Sequence, residues 1–410
     1  MKIKIKSLIY IQIYLVLFMG ILTTQFHFPT SLKYVIDFIN IILFIGSWNG
    51  IKHRLMKTRM KQSIVMIAVF FLFCSLTALL NGVNVLLFLW AVRVTFRFFM
   101  FYICCIVVLS KNDITKIFKQ LEIIYCINFV IILIQNIIFG YSQDFLGGIF
   151  GVEQGCNGQL NVFVILILGY ELTKYFDKKI KINKLMFFVL TAFVIAAVSE
   201  LKVIFIEVVV LFAMALLLDK PSLKTFSVII AVVIGIIIGL NVLKIVFPES
   251  YKFFFDENAI NNYLTASWIK GIQVTRLTGF KVINNYFFRN NFFRKIFGFG
   301  FGSCESSAFF SSEFAQKYSY TAYRQFSFAM EYLETGIVGL ILYISCFISI
   351  LICIARAKIS TINLWMKKYA YIIFPQIILL IWYNDSIKTE VGYLVLLVFS
   401  MVGIVKRQEN

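Results

Sequence analysis

Charge is what this chain has least of. Asp, Glu, Lys and Arg make up 14% of its 410 residues, against 60% hydrophobic. A soluble domain is about a quarter charged and about half apolar. So few charges cannot cover so large an apolar load in water, which excludes a soluble globular enzyme. Acidic groups are scarcer still, 20 against 39 basic ones, leaving a net charge of +19. No cysteine spacing suggests a zinc or iron–sulfur site. No small-residue, A-x-A-like site follows the first apolar run, which therefore reads as a span and not as a cleavable signal. There is also no convincing internal repeat.

What is present is apolar and aromatic. Aromatics reach 17%, with 46 Phe, and the mean hydropathy is +0.88. At 60% of 410, roughly 246 apolar residues suffice for about twelve spans of about twenty. Apolar runs lie near 7–24, 34–51, 63–80, 85–109, 121–139, 159–173, 185–200, 203–219, 225–246, 334–354, 369–383 and 390–405. The expected fold is all-α: a polytopic integral membrane protein of about twelve transmembrane helices. Residues 1–246 form a bundle of about nine helices. Residues 247–333 form one large extracytoplasmic loop containing amphipathic helices. Residues 334–410 add about three helices and a short cytoplasmic tail.

The links set the orientation, because Lys and Arg favour the cytoplasmic side of short loops. Twenty-four of them fall on alternate links, from Lys2, Lys4 and Lys6 to Lys406 and Arg407. The intervening short links hold only Lys33, Lys202 and Lys388. Both termini are then cytoplasmic. The 247–333 segment falls outside and carries nine basic residues, among them Lys252, Lys270, Arg276, Arg289, Arg294, Lys295 and Arg324. Long loops escape the positive-inside rule. The loop is either a solvated segment or an outward site for an anionic substrate.

Ionisable groups inside spans are costly and line cavities or pair with one another. Arg93 and Arg97 stand four apart, on one helix face. They repel unless an anion lies between them, either a phosphate held bidentately or an Asp or Glu. Glu200 and Lys202 lie at an outer junction. Glu207 shares a face with Glu200 if that helix is continuous. Asp37 reads as a cap or a solvated group. Cys156 and Cys304 both fall in outer loops, where oxidation can occur.

The large loop contains Trp268-Ile-Lys-Gly-Ile272, then Arg276, Phe280, Ile283 and Phe287 at helical spacing. This pattern places Arg276 on the apolar stripe of a surface-lying helix. Next come Arg289, Arg294 and Lys295, then Gly298, Gly300 and Gly302 in alternation. Such glycines allow either a tight turn or close backbone approach to a ligand.

Together these residues resemble the bacterial O-antigen and capsular polysaccharide polymerases (Wzy-type), which are related to the O-antigen ligases. Four features carry the likeness, the layout and three segments. Ile296-Phe-Gly-Phe-Gly-Phe-Gly-Ser303 is similar to the family's hydrophobic-Gly-x-Gly-x-Gly-Ser run, with Arg276 upstream. Glu331-Tyr-Leu-Glu-Thr-Gly336-Ile-Val-Gly339 resembles its Leu-x-x-x-Gly-Ile-x-Gly entry into the next span. Leu146-Gly-Gly-Ile-Phe-Gly151, with Asn157 and Asn161, is similar to its Gly-x-Phe-Gly…Asn loop. Arg289 stands eleven residues before Gly300, like an arginine-to-glycine pairing in some members. Gln325 stands where the ligases carry a His, and the only histidines are His27 and His53.

The resemblance implies a glycosyltransferase of the bacterial cytoplasmic (inner) membrane that needs no metal and no cofactor. Its substrate would be an undecaprenyl-pyrophosphate-linked oligosaccharide, polymerised at the outer face into O-antigen or capsule. Its partners would be membrane lipid, a chain-length regulator and a flippase, with no nucleic acid. The expected pyrophosphate-binding residues are Arg276, Arg289, Arg294, Arg93, Arg97 and Lys202. The expected catalytic carboxylates are Glu331, Glu334 and Glu200. The alternatives are a flippase or transporter of the same unit, or a ligase. A flippase would lack so large a loop and show repeats.

Overall fold

A computed structural model describes residues 5–55, 60–219, 223–248, 251, 255–265 and 271–409. Lys2, Lys4, Lys57, Arg59, Lys220, Lys252, Trp268 and Lys270 lie outside the described residues.

Each of the twelve apolar runs is a helix. They are α1 (Ile5–Thr24), α2 (Lys33–Gly50), α3 (Lys61–Leu80), α4 (Val85–Val108), α5 (Lys111–Ile137), α6 (Cys156–Phe176), α7 (Ile182–Val198), α8 (Lys202–Leu218), α9 (Leu223–Val246), α10 (Ser327–Arg356), α11 (Leu364–Tyr383) and α12 (Gly392–Glu409). Seven of them, α1–α5, α10 and α11, are long and apolar enough to cross a membrane. Among the described residues there is no strand, only a bridge between Ser306 and Ser311. The chain is an all-α membrane protein.

The innermost helices are not the most apolar ones: α6 carries Asn161, Glu171 and Thr173, and α12 carries Ser400. Every residue of α12 from Gly392 to Val405 is buried, as is every residue of α6 from Leu160 to Thr173. Around them, α4 packs on α12 and α2, α10 on α3, α11 on α8 and α6, and α7 on α9. The outer helices keep large apolar side chains exposed, such as Ile45, Leu72, Leu79 and Leu80. Such faces suit lipid.

The links sort into two ends. At one end Lys6 pairs with Asp113, Lys184 with Glu122 at 2.6 Å, and Lys368 with Asp219 at 3.1 Å. Asp113 also closes a capping box with Ser110 at the start of α5. All of these are links rich in basic residues. At the other end the poorly charged links meet. Asn157 donates to the Ser199 carbonyl at 3.2 Å, and the Ser327 N–H donates to the Asn384 carbonyl at 3.1 Å.

The helices expected in the large loop are shorter and placed differently. Glu257–Thr265, Gly279–Val282, Phe292–Phe297 and Glu313–Tyr318 are helical, and Ile283–Phe287 form a wide π turn. Residues 271–278 are not helical, so Arg276 sits in a turn before the helix and not on its apolar stripe. Val274, Ile283 and Phe287 carry the burial instead.

The alternating glycines are explained by backbone packing. Inside α10 the helix breaks at Gly336 (φ 66°). The run from Phe299 enters this break: the Phe299 N–H donates to the Leu333 carbonyl at 2.8 Å and the Gly300 N–H to the Glu334 carbonyl at 2.9 Å. Irregular backbone is tolerated at such depth only when its polar groups find partners within the protein. A Cβ on Gly298 would collide with the Glu334 backbone, and one on Gly336 with the Ile296 carbonyl. Gly298, Gly300 and Gly302 all have positive φ: Gly298 seats the loop on α10, Gly300 fits between α10 and the end of α3, and Gly302 lies against Leu87 and Phe88 of α4.

Candidate functional site

A cavity of about 590 Å³ opens at the end where the poorly charged links meet. It is lined from four parts of the chain: the 144–161 segment, the α7–α8 junction, the large loop, and the α11–α12 link. Its cations are Lys202, Arg276 and Arg324, and its carboxylates are Asp144, Glu200 and Asp385. Asn157 and Asn161 add amides, and Gln325 lies on the wall.

Arg276 is the most unusual of these groups. Its guanidinium carbon lies 4.2 Å from the Tyr383 ring centre, 4.7 Å from Tyr263 and 5.4 Å from Phe326. Cation–π attraction from three rings holds the charge without neutralising it. Its backbone carbonyl accepts from the Trp382 indole N–H at 3.0 Å, which ties the turn to α11. The Tyr263 and Tyr383 hydroxyls meet at 2.6 Å. Among the described residues Arg276 has no carboxylate partner, and its buried Nε lacks a hydrogen bond.

The α7–α8 junction is not one helix. Glu200 has a positive φ of 53° and lies between α7 and α8. Glu200 and Glu207 therefore do not share a continuous helix face. Glu200 pairs with Lys202 at 2.9 Å beside the cavity. Glu207 is buried, accepting from the Asn161 amide at 2.7 Å.

Asp385 follows the end of α11. Burial raises its carboxyl to about 6, against the pull of its backbone amide, Lys388 and Arg324. Sequence reasoning passed over Asp385 and Arg324 as site residues. One available signal was that Asp385 stands with Lys388 and Glu390 on a short link, a concentration of charge unusual in so apolar a chain.

The other expected site residues lie elsewhere. Arg93 meets Asp37 through Nε at 2.7 Å and Nη2 at 2.6 Å. Arg97 reaches Asp37 at 3.5 Å and Glu390 at 3.6 Å, and donates to the Lys388 carbonyl at 3.0 Å. The anion between the two arginines is thus Asp37, which is neither a cap nor a solvated group. Glu331 is buried and accepts from Lys388 at 2.5 Å. Glu334 is buried and accepts from the Cys304 N–H at 2.9 Å. Neither glutamate lines the cavity. Both Glu331 and Glu334, with Glu305, crowd around Lys388; burial opposes the Lys388 charge, yet these carboxylates hold its pKa above the usual lysine value. Arg289 and Arg294 are exposed on the loop, outside the cavity. Cys156 and Cys304 are both free, and burial pushes the Cys304 thiol well above its ordinary range.

Fold and site together define an integral membrane protein with a charged cavity at one end of its helix bundle. No protein-family model matches the chain, and a search among curated proteins finds no match.

Proposed function

We propose that the chain is a polysaccharide polymerase acting on oligosaccharide units linked to a lipid pyrophosphate. In this reading all twelve helices span a bacterial cytoplasmic membrane, both termini are cytoplasmic, and the cavity faces outward. The observation that carries it is Arg276: a guanidinium caged by three aromatic rings, without a carboxylate partner among the described residues, in a cavity where four segments converge. A pyrophosphate would supply the missing anion. Lys202 and Arg324 line the same space. The resemblance adds weight here, because Gln325 of the cavity wall stands at the position of the ligases' histidine.

The reaction breaks the bond between the anomeric carbon of the growing chain and its pyrophosphate oxygen. The bonding electron pair leaves with the pyrophosphate, whose charge the cations stabilise. A hydroxyl of the next unit bonds to the anomeric carbon, and its proton goes to a carboxylate. Of the cavity carboxylates Asp144, Glu200 and Asp385, we assign this role to Asp385, with Glu200, which pairs with Lys202, as the second candidate. Glu331 and Glu334 instead brace the links around it.

Deleting the gene and resolving surface glycan and lipid-carrier fractions by gel electrophoresis tests this reading. A polymerase leaves single repeat units at the surface and no polymer. Units trapped on the inner side would instead establish the flippase alternative. Polymer left on its carrier and never attached would establish a ligase.

A further inference from the structure

The arginines that stand outside the cavity have a different setting. Phe292 and Phe293 are 69% and 71% exposed, side by side on the short Phe292–Phe297 helix. Arg289, Arg294 and Lys295 flank them, and none forms an ion pair among the described residues. Arg294 lies over the Phe299 ring at 4.8 Å, and Lys295 donates to the Asn290 side chain at 3.0 Å. Two exposed phenyl rings amid three cations would be a poor surface in water.

Its position supplies the reason. Phe297 stacks near Phe73 of α3, with ring centres 6.3 Å apart. Gly300 packs against Asn81 and Val83, just beyond the end of α3. The exposed Leu79 and Leu80 mark that end. The loop that carries the phenylalanine pair therefore packs beside α3 and its end. Aromatic rings favour the depth where a span leaves the hydrocarbon, and basic residues there meet lipid phosphates.

We propose that residues 289–297 form an anchor that docks on anionic phospholipid headgroups, seating the large loop on the membrane beside α3. The phenylalanines enter the headgroup boundary, and Arg289, Arg294 and Lys295 hold the phosphates. Charge complementarity selects this occupant: the patch has three cations and no paired acid. The anchor is independent of the reaction proposed above and needs only that α3 spans the membrane.

The test uses the full chain with Phe292→Cys, labelled with an environment-sensitive fluorophore and reconstituted into phosphatidylcholine vesicles with or without phosphatidylglycerol. The described native cysteines are buried or, for Cys126, half-buried. Quenching by acrylamide, a neutral aqueous quencher whose concentration does not depend on surface charge, should be weaker when phosphatidylglycerol is present. Changing Arg289, Arg294 and Lys295 to Gln should return it to the level in phosphatidylcholine. Each basic residue at an anionic surface is worth a factor of about five in affinity, so the water-exposed population should rise several-fold. Added salt should have the same effect on the labelled chain without those three changes, which keeps the proposal testable if the triple variant misfolds. Equal quenching across lipids, salt and variants would overturn the anchor. So would a triple variant that keeps its lipid contact and loses polymer, since the patch would then serve the substrate.

Discussion

Arg97 and Arg276 belong to the same end of the bundle, and both lie against aromatic rings. Arg97 is within 4.7 Å of the Phe98 ring centre, as Arg276 is of Tyr263. They differ in what completes the charge. Arg97 has Asp37, Glu390 and the Lys388 carbonyl. Arg276 has rings and no carboxylate among the described residues. A buried cation with carboxylate partners is part of the frame, and removing it strands its partners. A cation kept in place by rings alone is available to a ligand. Residue type does not separate the two: Arg97 is buried within α4 and Arg276 is half-buried in a turn, and they differ most in the local inventory of anions.

The sharpest way to break this comparison is Arg97→Leu. Removing one partner of a buried ion pair costs about 3–5 kcal/mol because the remaining charges are left uncompensated. The expected result is a sharply lower melting temperature of the purified protein and little of it in membranes. A variant that accumulates and melts normally yet makes no polymer would move Arg97 into the company of Arg276.

Arg276→Ala should do the reverse. Loss of one preorganised donor is worth about 2–4 kcal/mol in the transition state. Polymer should disappear or shorten sharply while membrane insertion and melting stay close to wild type. Normal chain length would remove Arg276 from the site.

The smallest effect concerns Asp385, through pH. Its carboxyl titrates near 6 in the fold, above its ordinary value. Its stabilising contribution is thus fully present below the ordinary carboxylate range and is lost as pH rises through about 6. Activity runs the opposite way, because a base must be ionised: the rate should climb through about 6. In Asp385→Asn that limb should vanish along with most of the rate. A limb that persists in the variant assigns the titration to another group.

Some of this was legible from residue order. The twelve apolar runs became twelve helices because a run of that length has no other way to satisfy its backbone in an apolar setting. The segregation of basic links also reappears as two distinct ends. The pairing of Arg93 and Arg97 around an anion was legible as a need, but the identity of the anion was not. Asp37 lies on another helix, fifty-six residues from Arg93. Arg276 stood out by sequence on a helical stripe that does not form, because 271–278 turns where the periodicity suggested a helix. Its importance survives for a different reason, the ring cage. Gly298, Gly300 and Gly302 looked open to a ligand, and their neighbours are the backbone of α10 beside its break, the end of α3 and the first turn of α4.

The sequence by itself determined that this is an all-helical membrane protein whose basic residues concentrate on alternate links. Those properties follow from local composition, where each stretch responds to its own solvent. Only the tertiary structure decided which charges are spent on one another and which remain for a ligand. Ion pairing depends on separations of a few ångströms between helices far apart in the chain, as between Arg97 and Glu390 or Glu331 and Lys388. Nothing local to either partner encodes that distance.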